Sequence, residues 1–235
     1  MTQVKSNTKK IAVIGLGNIG KVLAGNLVNG NRPVIIADRK IEKANELAQK
    51  LGTLAQPLEI PAAIKAADIV VFTVWFDAIK ELLTKYATEL NGKIIVDPSN
   101  PIAPDEKGGF KKIIGADESA GEILSSLLPE GAKLAKALGT LSAASLEGAA
   151  FEKPEPAVLF YATDDISINE DIDQLIHDAG FEPFRVGGID QSGRIEVFGD
   201  LHEFGALGKT VSLTEAKQKF KLQSVASSIT HAETI

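Results

Sequence analysis

Three glycines and their neighbours are the part of this chain with the plainest capacity for chemistry. Lys9 to Gly20 reads KKIAVIGLGNIG, in which Ile11, Val13 and Ile14 run directly into Gly15-x-Gly17-x-x-Gly20. At this spacing the first glycine permits a tight strand-to-helix turn and the second lets a diphosphate approach the main chain. The third lets the helix pack closely on the strand. The N–H groups of Asn18, Ile19 and Gly20, at the positive end of the helix dipole, would cradle the anion. Asp38 ends the next apolar run, eighteen positions after Gly20, where a dinucleotide site keeps its ribose-reading group. A carboxylate there accepts from a free ribose diol and favours NAD. The adjacent Arg39 and Lys40 would instead pair with a 2′-phosphate, or stand as solvated charges at a helix start. The two basic residues tip the reading to NADP, with NAD the alternative.

A second group of residues bears on what the nucleotide would react with. Val74-Trp75-Phe76 follows a continuous apolar run and opens the loop expected beneath the nicotinamide. Trp75, the only tryptophan, would wall the pocket or stack on a flat ring, or it is ordinary packing. Asp97-Pro98-Ser99-Asn100-Pro101 cannot be helical, and its place at the end of a strand puts Asn100 and Pro101 where α/β sheets bind ligands. A general acid or base is hard to find. Of the three histidines, His177 lies in an amphipathic stretch and His231 in the tail. His202, after the glycine-punctuated Gly199-Asp200, is the candidate. Lys136 sits within a strand, facing a pocket or held in a salt bridge. Reducing a ketone requires a proton donor, whereas hydride exchange between two flat rings requires mainly stacking and distance. The residues lean to the second kind of reaction.

These groups need a scaffold, and the hydrophobic pattern supplies one. Helical spacing is expected over Ile19–Asn29, stopped by Gly30, and over Ile41–Leu51, capped by Gly52. A short strand at Thr53–Ala55 and a helix at Ile60–Ala67, with Pro61 in its first turn, come next. Buried strands are expected at Pro33–Ala37, Asp68–Val74, Gly92–Val96 and Lys133–Leu141, with a helix over Ala78–Ala87. Phe110–Ile114 reads as loop or a short element, and Ser119 with Glu122 forms a capping box opening a helix to Leu128. Together these make about six parallel strands. Ala157–Thr163, Ile168–Ala179 and Phe181–Val186 then read as strand, helix and strand. Asp200–Ala216 reads as helix or loop near the site, and Gln218–Ile235 as a polar tail. The expected architecture is α/β, a Rossmann-type doubly wound, mostly parallel sheet extended by the C-terminal strand-helix-strand unit. Residues 9–148 would form the dinucleotide-binding domain and 149–235 the extension of the same sheet plus the tail.

Composition is that of an ordinary globular protein: 235 residues, 44% hydrophobic, 24% charged. A net charge of −6 argues against a general nucleic-acid binder. No run approaches the ~20 apolar residues of a membrane span, and the polar N-terminus is no secretory signal, so a cytoplasmic protein is expected. The absence of cysteine excludes thiolate chemistry and disulfides, and no metal-ligand spacing occurs.

IGLGNIG, ADRKIEKA (from Ala37), TVWFDAI (from Thr73), VDPSNP (from Val96), SAGEIL (from Ser119) and KALGTLSA (from Lys136) together resemble the NADPH-dependent deazaflavin reductases, the coenzyme F-420 NADP oxidoreductases. Their dinucleotide domain is related to that of transmembrane metalloreductases. The resemblance implies NADP along the glycine turn, with Arg39 and Lys40 near the 2′-phosphate. It also implies that Trp75 and the Asn100-Pro101 turn lie close to the nicotinamide, and that a deazaflavin stacks over that ring. The expected partner is a small-molecule acceptor, a deazaflavin or flavin, and a homodimer would complete the cleft. Two other readings stand beside it: an NADP(H)-binding sensor without turnover, and a reductase of small carbonyls or imines using His202.

Overall fold

A computed structural model describes residues 8–220. Its centre is an eight-stranded sheet: β1 (Ile11–Ile14), β2 (Val34–Ala37), β3 (Ala55–Pro57), β4 (Ile69–Phe72), β5 (Ile94–Asp97), β8 (Lys133–Ala137), β9 (Val158–Ala162) and β10 (Glu182–Gly187). A separate hairpin pairs β6 (Ile102–Pro104) with β7 (Phe110–Lys112). The helices are α1 (Asn18–Asn29), α2 (Ile41–Leu51), α3 (Ile60–Ala66), α4 (Phe76–Lys85), α5 (Ala87–Leu90), α6 (Ala120–Ser125), α7 (Ala143–Gly148), α8 (Asn169–Asp178) and α9 (Ser192–Ile195). Strand order is β10-β9-β8-β5-β4-β1-β2-β3. The six strands from β3 to β8 run parallel, β9 is antiparallel to β8, and β10 is parallel to β9.

Side chains on a strand alternate between faces, so each strand feeds two apolar layers. Ile11 and Val13 of β1 join Leu23 and Leu27 of α1 and Ile172 and Ile176 of α8 on one face. Ala12 and Ile14 join Ile64 of α3, Ile79 and Leu83 of α4 and Leu124 of α6 on the other. This is the doubly wound arrangement the pattern implies. β9 alternates likewise, with Leu159 and Tyr161 in the first layer. Its Val158, Phe160 and Ala162 face a third cluster with Ile195, Leu201, Leu207 and Val211. The chain after β10 therefore packs on one face of β9 and β10, the C-terminal extension of the sheet. Among the described residues no helix is long and apolar enough to cross a membrane.

Several elements differ from the sequence pattern, each for a local reason. The strand expected over Lys133–Leu141 stops at Ala137, because Leu138 turns into the left-handed region at φ 66°. The capping box holds, with Ser119 accepting from the Glu122 N–H, but its helix ends at Ser125. Phe110–Ile114 contributes one strand of the hairpin. Gly30 has an ordinary φ of −75°, and Asn31 takes the left-handed position at φ 59°. Glycine is needed at position 30 because an added Cβ would lie 2.0 Å from the Asp178 carbonyl oxygen. The 200–216 segment is a run of turns followed by helix over 213–220. The expected polar tail therefore begins with helical residues, and Phe220 meets Phe184 edge-on at 5.4 Å. Residues 1–7 and 221–235, with the rest of that tail and His231, lie outside the described residues.

Candidate functional site

The sheet order reverses between β1 and β4, and the loops leaving the carboxyl ends of these strands flank the crevice where such sheets take ligands. The glycine turn sits there. Gly15 has φ 99°, donates its N–H to the Ala37 carbonyl at 2.8 Å, and could not carry a side chain: a Cβ would fall 2.4 Å from the Val74 Cγ1. At Gly20 a Cβ would lie 1.9 Å from the Gly15 carbonyl oxygen and 2.6 Å from the Thr73 Oγ1. At Gly17 it would meet nothing within 4 Å. Two glycines are thus enclosed by protein and the middle one faces open space, as a backbone approached by an outside group must. α1 begins here with no side-chain cap and no acidic residue in its first turn. Its first N–H groups remain available to an anion, with Asn18 exposed and Ile19 half-buried beside them.

Thr73 completes the turn, although motif spacing does not point to it. Its hydroxyl donates to the Gly15 carbonyl at 2.5 Å and contacts the Ile14 carbonyl at 3.1 Å, clasping the end of β4 to the end of β1. Val74 packs over the turn, and Trp75 follows at 61% exposure, its side chain standing in solvent at the start of α4. On the other flank Asp38 is buried, with both carboxylate oxygens accepting main-chain N–H groups. Arg39 and Lys40 are exposed.

The carboxyl ends of β5 and β8 carry a different construction. Lys136 (2% exposed) donates to the Asp97 Oδ2 at 2.7 Å and to the Ser99 carbonyl, with the Glu196 Oε1 at 3.7 Å. Asp97 also accepts the Ser99 N–H at 2.7 Å, and Glu196 accepts the N–H groups of Ala120 (3.1 Å) and Gly121 (3.0 Å), where α6 begins. Each charge therefore has partners, which burial requires. Lys136 and Asp97 are visible in the sequence as charges in or ending apolar runs. Glu196 gives no such signal, since it comes from 60 positions beyond Lys136.

This network holds the Asn100 turn. The Asn100 side chain donates to the Gly139 carbonyl at 3.1 Å and accepts the Val197 N–H at 2.7 Å, so its polar atoms join three loops. Pro101 beside it is buried. His202 is 1% exposed. Its Nδ1 accepts the Phe204 N–H at 2.9 Å, which assigns the proton to Nε2, 3.0 Å from the Gly139 carbonyl. Burial holds its pKa below the usual histidine value, against the opposing pull of that carbonyl. Both ring nitrogens are committed to main chain, so in this conformation the ring has none to offer a substrate. The structure thus brings Gly15, Gly17, Asn18, Ile19, Gly20, Asp38, Arg39, Lys40, Val74 and Trp75 to one crevice. Asn100 and His202 serve the neighbouring loops as ties.

Known proteins share part of this sequence and of this fold. Residues 10–101 match the family described as NADP oxidoreductase, coenzyme F420-dependent. The F420-dependent NADP reductase of Methanothermobacter thermautotrophicus is 33% identical over 153 residues, covering 61% of this chain and 66% of its own. The rat metalloreductase STEAP3 is 22% identical over 83% of this chain, which spans 37% of its length. The chain thus spans less than two thirds of these relatives. A solved hypothetical protein of Sinorhizobium meliloti superposes with a TM-score of 0.76 at 27% identity, covering 88% of this chain and 97% of that one. The family match ends at Pro101, so it takes in the glycine turn, Asp38 to Lys40, Trp75 and the Asn100 turn, but neither Lys136 nor His202.

Proposed function

We propose that this chain binds NADP(H) along the glycine turn and passes hydride between the nicotinamide and a flat redox acceptor such as a deazaflavin or flavin. The observation that carries the reading is the contrast among the three glycines: Gly15 and Gly20 are enclosed and Gly17 is open, beside an uncapped helix start at the switch point. In this reading the diphosphate lies over Gly17, Asn18 and Ile19, and Arg39 and Lys40 meet the 2′-phosphate. Trp75 and the Asn100-Pro101 turn flank the nicotinamide.

Two further observations favour ring-to-ring hydride transfer over carbonyl reduction. Lys136 is sealed in its ion network, and His202 has both nitrogens committed to main chain. Neither is placed to give a proton, and hydride exchange between aligned rings relies on positioning instead. The name of the Methanothermobacter relative points to the same class of acceptor. A second copy of the chain would cover the exposed Phe198 and Phe204 at this edge and complete the cleft, which sedimentation would check by finding a dimer.

The test has two stages. Quenching of Trp75 fluorescence on titration with NADPH reports binding; no quenching and no heat of binding in a folded sample would overturn the reading. Loss of reduced-nicotinamide absorbance with a deazaflavin, flavin and quinone panel reports turnover. Binding without turnover on any acceptor would leave a nucleotide-binding sensor in place of an enzyme.

A further inference from the structure

Asp38 occupies the position at which a carboxylate reads the two hydroxyls of an adenosine ribose. To do so it must hold lone pairs outward. Here Oδ2 accepts the Leu16 N–H at 2.9 Å and Oδ1 accepts the Lys40 N–H at 3.1 Å, and the residue is 7% exposed. Leu16 is the residue between Gly15 and Gly17, so one oxygen fixes the glycine turn. Lys40 is the residue from which α2 begins, so the other oxygen forms an Asx-type turn that sets the course of Arg39 and Lys40. Among the described residues neither basic side chain has an ion-pair partner, and both are exposed.

We infer that Asp38 is a positioning residue: it ties the glycine turn to the basic pair, and Arg39 with Lys40 selects the nucleotide through its 2′-phosphate. This rests on the dinucleotide reading above. An outward carboxylate would repel a phosphate monoester at this place. One that is 7% exposed, with each oxygen already accepting a main-chain N–H, has few acceptor positions left to offer a ribose, so an acidic residue and a preference for NADP coexist. The presence of an acid after β2 is therefore no sign of NAD here.

Titrations of the unaltered protein, Asp38→Asn and the double variant Arg39→Ala/Lys40→Ala with NADPH and NADH decide the matter. Asparagine keeps an oxygen for the Lys40 N–H but turns an amide towards the Leu16 N–H. Asp38→Asn should weaken both nucleotides by similar factors, leaving their ratio within about twofold, well under one tenfold step of 1.4 kcal/mol. The double variant should weaken NADPH by about tenfold or more, the effect of a lost charge-assisted contact, and leave NADH nearly unchanged. A rise of about tenfold in the NADPH preference of Asp38→Asn would make the carboxylate the ribose reader and overturn the inference. So would unchanged affinity for both nucleotides in a less stable Asp38→Asn protein, which would leave Asp38 a structural residue only. Should that variant not fold, the other two proteins suffice: NADH preference in the unaltered protein, or an unmoved ratio in the double variant, overturns the inference. Failure of the unaltered folded protein to bind either nucleotide is a different result, and removes the dinucleotide reading beneath it.

Discussion

The two ends of the crevice are built by opposite means. At β1 and β4 the shape comes from side chains that are missing, with main-chain atoms of residues 14–20, the Thr73 hydroxyl and the Asp38 carboxylate in contact over short distances. At β5 and β8 it comes from large buried charges, Lys136 between Asp97 and Glu196, which draw in α6 and the 196–204 segment. The first construction leaves backbone open to a ligand. The second closes its three charges on one another and on main-chain N–H groups, and so holds loops in place. Under the proposed function, the first end would hold the diphosphate and the second would form a fixed wall beside the reacting rings.

The largest effect is expected at Lys136. Lys136→Met leaves two buried carboxylates without their cation and should cost about 3–5 kcal/mol in denaturant unfolding. The triple variant Lys136→Met/Asp97→Asn/Glu196→Gln removes all three charges and should recover much of that. A single variant as stable as the parent would show that the charges do not hold this junction. Next in size is Gly20→Ala, whose methyl meets the Gly15 carbonyl, an atom of the main chain that cannot swing aside. A loss of about 1–3 kcal/mol is expected, together with weakened nucleotide binding.

Gly17→Val sharpens the contrast within the turn itself. The backbone there is extended and its Cβ direction is empty, so stability should move by no more than about 0.5 kcal/mol while NADPH binding is lost. Normal affinity in a folded Gly17→Val protein would remove the diphosphate from this turn. The smallest effect concerns pH. The imidazole of His202 titrates near 6.5 when unfolded and lower when folded, because burial disfavours the cation. Above that pH it is neutral in both states and its contribution to stability is complete. As pH falls below it, the unfolded chain takes up a proton that the folded one refuses, so stability declines until the folded pKa is passed. His202→Gln should flatten this part of the stability profile, and an unaltered slope would mean the ring is not held neutral.

How much of this was legible in the residues depended on how far each feature reaches along the chain. The helix Ile41–Leu51 appears with the bounds its apolar spacing implies, and Gly52 caps it with φ 82°, because both signals are local. The order β1-α1-β2 and the enclosed Gly15 and Gly20 follow from a motif whose partners lie within about a βαβ unit. Local pattern failed where a distant segment intervened: Gly30 is glycine because of Asp178, and Gly139 because a Cβ would sit 2.5 Å from the Pro98 carbonyl oxygen.

Periodicity and glycine spacing are properties of neighbouring residues, and they are enough to specify a doubly wound sheet with a glycine turn between its first strand and first helix. What the polar residues do there depends on contacts between distant segments. Asp38, Asn100 and His202 each carry groups fit for binding or proton transfer, and in each case main-chain atoms, at least one of them from another loop, take those groups up. A side chain's chemistry is written in its type; whether that chemistry is free for a ligand depends on which N–H and C=O groups the fold brings within about 3 Å of it.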